Sequence, residues 1–174
     1  MIRRIAMEII ERNPDLSRVA LVGIHTRGVP LARRIVAALE PVDARRPKLG
    51  RLDITLYRDD FDRPDFDPEV HDTNLDFDVS GMTIILVDDV LHTGRTVRAA
   101  MNEIMDYGRP AQIQLAVLID REGRELPVAP TYVGQRVGTR QGESIRVQLS
   151  EVDSGVEAVY AVRRVRGEGE EDGP

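Results

Sequence analysis

The sequence has 174 residues, 41% of them hydrophobic, which excludes a wholly disordered chain and is enough for one ordinary domain. It contains no cysteine, which excludes disulfides, thiolate metal sites and a cysteine nucleophile. The net charge of -6 makes it a poor general binder of polyanions, although a local face of arginines can still bind nucleic acid.

The first part of the chain has the pattern of a helix followed by a strand-loop-helix unit. Apolar residues recur at helical spacing over residues 5–12, and the Asn-Pro-Asp sequence at residues 13–15 predicts the end of this helix. The apolar run over residues 19–24 predicts a buried parallel strand. After a loop at residues 25–28, helical spacing returns over residues 29–39.

The middle of the chain contains a second strand-loop-helix unit, preceded by a long polar segment. Alternation over residues 52–57 predicts a strand. Residues 58–80 are polar, rich in aspartate and contain two prolines, so we expect a flexible hood loop there. Residues 83–87 predict a second buried strand, which two aspartates and a Thr-Gly turn follow, and residues 97–107 predict the next helix.

The last part of the chain is less regular. Further strands are predicted at residues 113–119, 131–133, 144–149 and 156–165. Residues 167–174 are acidic and glycine-rich and are expected to form a disordered tail, which leaves residues 1–166 as a single domain. Strands that alternate with helices predict an α/β fold, with a mostly parallel central sheet flanked by helices.

The sequence gives no sign of a membrane or secretory segment. No run of about 18 apolar residues is present, and the N-terminus enters an amphipathic pattern without the apolar core of a signal peptide. We therefore expect a cytoplasmic protein with no membrane partner.

The strongest functional motif spans residues 84–96. A hydrophobic strand brings Asp88 and Asp89 to the carboxyl edge of the predicted sheet, where α/β proteins bind ligands. The next residues, Thr93-Gly94-Arg95-Thr96, turn into a helix whose N–H groups and hydroxyls can hold a phosphate. Carboxylates repel phosphate but suit sugar hydroxyls or magnesium. The motif indicates a site for a ribose 5-phosphate, and the alternative is a capped helix with two solvated acids.

A second anion cradle is indicated by the loop that contains Thr26, Arg27 and Gly28. The loop joins a buried strand to a helix, Arg27 supplies a forked cation, and Gly28 permits close approach of the backbone. The alternative is an arginine that only caps a turn.

Four segments resemble the PyrR family of type I phosphoribosyltransferases, and the resemblance covers roughly residues 3–160. Residues 84–96 resemble the family's phosphoribosyl pyrophosphate (PRPP) motif, and the other segments are residues 22–32, 52–60 and 114–121. The resemblance implies a type I phosphoribosyltransferase fold and uracil phosphoribosyltransferase activity, which converts uracil and PRPP to UMP and pyrophosphate. It also implies UMP-responsive regulation of pyrimidine operons (attenuation) through binding of their messenger RNA.

The same resemblance implies roles for individual residues. Asp88 and Asp89 would bind the ribose hydroxyls and help to place Mg²⁺ with PRPP, while Arg27 and Arg58 would act on the departing pyrophosphate, Arg58 from the closed hood loop. The other residues that would bind PRPP or UMP are Thr26, Gly28, Val90, Leu91, His92, Thr93, Gly94, Arg95 and Thr96. The uracil pocket would include Ile119, Asp120 and Arg121. His92 stands where the family usually has an aromatic residue, and we do not expect it to act as a catalytic base.

The positions associated with RNA binding depart from the family pattern. Met7 stands where the family commonly has His, and Ala129 stands where a basic residue is usual. Each lost phosphate contact lowers the affinity for RNA and flattens its dependence on salt. The remaining candidates for a basic RNA face are Arg3, Arg12, Arg124, Arg136 and Arg140.

Two alternative functions remain open. A purine or orotate phosphoribosyltransferase would share the PRPP motif and differ in the base pocket. A nucleotide-sensing RNA-binding regulator would keep the fold and have little catalysis. The resemblance further implies a homodimer or homotetramer, in which two arginine faces could form one RNA platform. The family also usually has about one strand and half a helix ahead of Arg4.

Overall fold

A computed structural model describes residues 1–40, 45–55, 72–140 and 142–163. The helices in these ranges are α1 (Ile2–Arg12), α2 (Gly28–Leu39) and α3 (Arg95–Asp106), with a 3₁₀ turn at Leu16–Arg18. The strands are β1 (Val19–Ile24), β2 (Lys48–Leu52), β3 (Thr83–Leu91), β4 (Gln112–Arg121), β5 (Tyr132–Val137), β6 (Glu143–Gln148) and β7 (Ala158–Arg163). None of the helices in the described ranges has the length and apolar character needed to span a membrane.

Five strands form one parallel sheet in the order β2-β1-β3-β4-β5. Successive residues of its central strands alternate between two apolar cores, as the two-residue period of a strand requires. Leu21 and Ile85 pack on the side of α1 and α2. Val22 and Leu86 pack on the other side, in the core that includes α3. The α/β fold with a parallel central sheet flanked by helices is therefore confirmed.

The C-terminal strands β6 and β7 form a separate antiparallel hairpin. The loop between these two strands is bonded to α2. Arg34 of α2 donates from Nε to Glu151 over 2.8 Å and from Nη1 to Glu157 over 3.0 Å. It also donates from Nη2 to the hydroxyl of Ser150 over 3.2 Å. Bonding to Arg34 and Ser150 lowers the pKa of Glu157 to about 2. One arginine thus holds three residues of the loop.

The strand predicted over residues 52–57 is displaced in the structure, because β2 ends at Leu52. Residues 53–55 leave the sheet, and residues 56–57 lie outside the described ranges. The carboxylate of Asp53 accepts from the N–H of Thr55 over 2.9 Å, and the N–H of Asp53 donates to the Thr73 hydroxyl over 3.0 Å. These side chains replace a strand partner, so the prediction for residues 53–55 is wrong.

The strand predicted over residues 83–87 is longer in the structure, because Asp88 and Asp89 also belong to β3. Pairing with β4 continues past them, with Asp88 opposite Val117 and Leu91 opposite Asp120. β1 has the predicted ends, and the other predicted helices and strands are present with shifted ends.

The expected hood loop and tail lie largely outside the described residues. Residues 58–71 and 167–174 belong to the part that the structure does not describe. In the described part of this segment, which begins at residue 72, Asn74 pairs with Arg51 of β2 through two backbone hydrogen bonds of 2.9 and 3.0 Å. The end of the expected loop is therefore joined to the edge of the sheet.

Candidate active site

Asp88 and Asp89 lie at the carboxyl end of β3, and their carboxyl groups interact directly with each other. Asp88 is buried. Asp89 is half-buried and lines a polar groove of about 410 Å³ with Arg27. Asp89 is therefore the carboxylate that faces the open space.

The surroundings of the two carboxylates raise the pKa of each. Burial, and then the charge of Asp89, raises the pKa of Asp88 well above its ordinary value. Burial also raises the pKa of Asp89, while hydrogen bonding from the N–H of Val90 and the charge of Arg27 lower it. Asp89 is thus the carboxylate whose ionised form the site supports better.

The loop that carries Arg27 is held against the end of β3 by two glycines. A β-carbon on Gly28 would lie 2.2 Å from the carbonyl oxygen of Val87, the residue immediately before the two aspartates. A β-carbon on Gly23 would lie 2.5 Å from the carbonyl oxygen of Gly28. Only glycine fits at such approaches, so these residues bring Arg27 and the half-exposed end of β3 together. Thr26, beside them, is exposed.

Arg27 forms a forked ion pair with Asp153, which lies in the loop between β6 and β7. Nε of Arg27 donates to Oδ2 over 3.1 Å and Nη2 donates to Oδ1 over 2.6 Å. Bonding to Asp153 raises the pKa of Arg27 and lowers that of Asp153. The sequence motifs gave no indication of Asp153, because 126 residues separate it from Arg27.

The predicted phosphate cradle lies at the start of α3. Gly94 has a left-handed φ of 94° and precedes the first helical residue, Arg95. The hydroxyl of Thr93 accepts from the N–H of Arg95 over 3.3 Å. The first N–H groups of a helix lack partners within it, so this end presents donors to an anion. The side chain of Arg95 pairs with Glu125 over 2.7 Å, a partner that the sequence motifs did not indicate.

Arg124 ties the cradle to the ends of β3 and β4. Its guanidinium donates to the carbonyl oxygens of His92 and Arg121, each over 2.7 Å, and to the carboxylate of Asp120. Further bonds reach the carbonyls of Val128 over 3.1 Å and of Leu91 over 3.3 Å. Arg124, which was predicted to bind RNA, therefore donates to five acceptors within the protein.

A groove of about 480 Å³ opens at the ends of β4 and β5. Asp120 and Arg121, two of the residues predicted for the uracil pocket, line it together with Arg136. Ile119, the third, is buried in the core beneath and does not line the groove. The ring of His92 packs on Gly123 at the same end of the sheet, and burial lowers the pKa of this histidine.

Comparison with known proteins gives the family of the chain. The family model described as "Phosphoribosyl transferase domain" matches residues 1–150. The "Bifunctional protein PyrR" of Roseiflexus sp. is 57% identical, over 93% of this chain and 88% of that protein. The protein of the same name from Clostridioides difficile is 53% identical, over 87% of this chain and 86% of that one. The chain belongs to the PyrR family.

Solved structures similar to this PyrR-family chain agree in fold. A hypoxanthine phosphoribosyltransferase of Trypanosoma cruzi superposes with a TM-score of 0.69 at 16% identity, covering 93% of this chain and 89% of that one. A hypoxanthine-guanine phosphoribosyltransferase of Bacillus anthracis gives a TM-score of 0.67 at 12% identity, covering 91% and 88%. At such low identities the likeness concerns the fold alone.

The residues predicted to bind RNA in this PyrR-family chain lie on different elements. Arg3 and Arg12 are exposed on α1, Arg136 is exposed on β5, and Arg140 is exposed beyond it. The Arg12 guanidinium stacks over the Tyr132 ring at 5.6 Å, and Arg136 lies 3.5 Å from Asp120. Arg58, predicted to act on pyrophosphate, lies outside the described residues.

Proposed function

We propose that this protein transfers the phosphoribosyl group of PRPP to uracil and forms UMP and pyrophosphate. One observation carries the proposal. The end of β3 bears two carboxyl groups and lies between two loops that can each bind an anion. The Arg27 loop packs on Val87 immediately before the carboxylates, and the Gly94 turn follows them. A sugar with phosphate at one end and pyrophosphate at the other matches this order. The membership of the chain in the PyrR family supports this choice.

In the proposed reaction the bond between C1 of ribose and the pyrophosphate oxygen breaks, and N1 of uracil bonds to C1 and loses its proton. Asp89 would hold the ribose hydroxyls from its groove, with the buried Asp88 carboxyl group next to it. The first N–H groups of α3 would hold the 5-phosphate. Arg27 would stabilise the negative charge that develops on pyrophosphate as it leaves. Closure of the hood loop would exclude water, which otherwise hydrolyses PRPP.

The proposal includes Mg²⁺ bound together with PRPP. Within the described ranges, no cluster of three or more histidine, aspartate or glutamate side chains could hold a metal ion. The two aspartates nevertheless fit a magnesium ion that takes most of its ligands from substrate and water, because Mg²⁺ is commonly bound through one or two carboxylates. When bound, it would neutralise charge on the pyrophosphate. We expect the ion to enter with PRPP.

We propose in addition that the protein binds pyrimidine-operon messenger RNA in response to UMP. Exposed arginines on α1 and β5 support this regulatory role, as does the word "bifunctional" in the names of the relatives. The protein must be in the same compartment as the messenger RNA to bind it. We therefore propose that it acts in the cytoplasm. A homodimer or homotetramer would enlarge the arginine face through symmetry.

The decisive experiment is an assay of pyrophosphate release from PRPP with a panel of bases. We expect turnover with uracil, none with hypoxanthine or orotate, and loss of turnover when magnesium is omitted. Asp89→Asn should lower kcat/KM by about a hundredfold or more, because the site loses an ionised ligand. Turnover with hypoxanthine alone would reject uracil as the base.

A separate gel-shift titration tests the regulatory half of the proposal. The probe is the leader RNA of the protein's own pyrimidine operon, with and without UMP. A shift that UMP strengthens is expected. RNA binding without turnover of any base would favour a nucleotide-sensing regulator, and no shift at low salt would remove the RNA role.

A further inference from the structure

We propose that Asp153 is a positioning residue that orients the Arg27 guanidinium for the pyrophosphate end of the substrate. The inference rests on the proposed function, since it concerns the same site. It assigns a role in that site to the loop between β6 and β7, which the sequence motifs left without one.

The geometry of the pair leaves one edge of the guanidinium available. An arginine has five N–H groups, and Asp153 takes one from Nε and one from Nη2 in a fork-to-fork arrangement. The two N–H groups on Nη1 lie on the opposite edge of the planar group. Arg27 lines the groove that also contains Asp89. The pair therefore fixes the plane of the guanidinium and leaves donors for an anion in the groove.

Asp153 is itself held in place by two hydrogen bonds to Leu149. Its Oδ2 accepts from the N–H of Leu149 over 2.8 Å, and its own N–H donates to the carbonyl of Leu149 over 2.8 Å. Its side chain is only 13% exposed. The loop around it is fixed by Arg34 of α2, the helix that begins next to Arg27. The carboxylate therefore has one position relative to that helix, as preorganisation of a catalytic group requires.

The second carboxylate of the groove shows why a fixed partner matters. Among the described residues that line this groove, Asp89 is the acid besides Asp153. The charge of Arg27 already lowers the pKa of Asp89, so the two groups attract each other. Without Asp153, we expect Arg27 to turn towards Asp89 and pair with it. That pairing would occupy both the cation proposed for pyrophosphate and the carboxylate proposed for ribose.

The test compares Asp153→Asn with a matched control, Glu40→Gln. Asparagine keeps the size of the side chain and removes the charge that holds Arg27. Glu40→Gln removes a charge that pairs with Arg46 and does not line the groove. Calorimetry measures the binding of magnesium pyrophosphate and of UMP to each protein. UMP serves as the internal reference, because it has no pyrophosphate.

We expect Asp153→Asn to raise the Kd for magnesium pyrophosphate by about tenfold, the scale of one charge-assisted contact, and to change the Kd for UMP by less than about twofold. Glu40→Gln should leave both constants near their wild-type values. In an Arg27→Gln background, Asp153→Asn should have no further effect on pyrophosphate binding, because the group it orients is absent.

Several outcomes would overturn the inference. Unchanged pyrophosphate binding in Asp153→Asn would show that the pair does not orient Arg27, and tighter binding would show that Asp153 competes with the anion. Equal weakening of pyrophosphate and UMP would indicate a general structural role, and a wild-type protein that binds no pyrophosphate would end the proposal. Failure of the proposed function gives a different result, namely intact pyrophosphate and UMP binding without turnover of uracil.

Discussion

Gly28 and Val87 approach each other so closely that a β-carbon on residue 28 would lie 2.2 Å from the Val87 carbonyl oxygen. Real β-carbons do not come within 3.0 Å of a backbone atom, so a larger residue here requires the backbone to move. Val87 precedes the two aspartates of β3, and Gly28 follows Arg27. The contact therefore sets the distance between the guanidinium and the carboxylates of the candidate site.

Gly28→Ala is expected to reduce both stability and activity. Overpacking of this kind costs about 1–3 kcal/mol of unfolding free energy. It should also lower kcat/KM for PRPP, because the Arg27 loop is displaced from the end of β3. Urea unfolding and steady-state kinetics measure the two effects. Gly138→Ala is the control for stability, since nothing lies within 4 Å of a β-carbon there. Equal stability of the Gly28 and Gly138 variants would contradict this account of the contact.

Asp88→Asn is expected to stabilise the protein at neutral and alkaline pH. Burial raises the pKa of Asp88 in the folded state above its unfolded value near 3.8. An acid with a raised folded pKa keeps its proton better in the folded state, so its ionisation lowers stability as pH rises through that pKa. Asparagine has no such ionisation. The variant should gain about 1–3 kcal/mol of unfolding free energy at pH 8.

The pH dependence identifies the cause of that gain. The difference between wild type and Asp88→Asn should shrink as the pH falls towards about 4, because near the unfolded pKa of 3.8 ionisation no longer strongly favours the unfolded state. Asp89→Asn should gain less, because Asp89 is half-buried and Arg27 favours its charged form. Thermal unfolding between pH 4 and pH 9 measures all three proteins. A variant at position 88 that is less stable than wild type at pH 8 would show that the ionised carboxylate has an unrecognised partner.

Much of the fold and part of the site were predictable because their signals are local. Continuous apolar runs predicted β1 and most of β3 and β4, since a strand covered on both faces has no polar side. The Arg27 loop and the residues at the end of β3 could be proposed for the site because each motif occupies a few consecutive residues. Parallel strands then bring the carboxyl ends of β1 and β3 to one edge.

What the sequence did not reveal depends on contacts between distant residues. The partnership of Arg27 with Asp153 spans 126 residues, and no local pattern marks it. The five acceptors of Arg124 come from three separate parts of the chain, so its sequence context suggested an exposed cation instead. β2 ends where the N–H of Asp53 bonds to the hydroxyl of Thr73. The sequence of residues 52–57 contains no indication of this distant partner.

Tyr132→Phe tests a buried polar network that joins α1 to the sheet. The Tyr132 hydroxyl donates to Oε1 of Gln114 over 2.6 Å and accepts from Nδ2 of Asn13 over 2.9 Å. Gln114 in turn donates to Oδ1 of Asn13 over 3.1 Å. Removing the hydroxyl leaves buried polar atoms short of partners, at a cost of about 1–3 kcal/mol of unfolding free energy.

The control for this network is Tyr107→Phe, because the Tyr107 side chain is half exposed and its loss of a hydroxyl leaves no buried polar atom of this network unbonded. Urea unfolding of the two variants should separate them clearly, with Tyr107→Phe close to wild type. Equal stabilities would mean that water or a shifted amide compensates for the lost hydroxyl at position 132.

Arg136→Gln and Arg124→Gln should separate a phosphate contact from a structural arginine. Arg136 is exposed, so its loss is expected to weaken binding of the leader RNA and to reduce the slope of log affinity against log salt by about 1. Arg124 is bonded to five protein acceptors, so its loss should instead lower the unfolding temperature. Gel shifts at several salt concentrations and thermal unfolding measure both variants. If Arg124→Gln reduced the slope of log affinity against log salt and left stability unchanged, Arg124 would be an RNA contact after all.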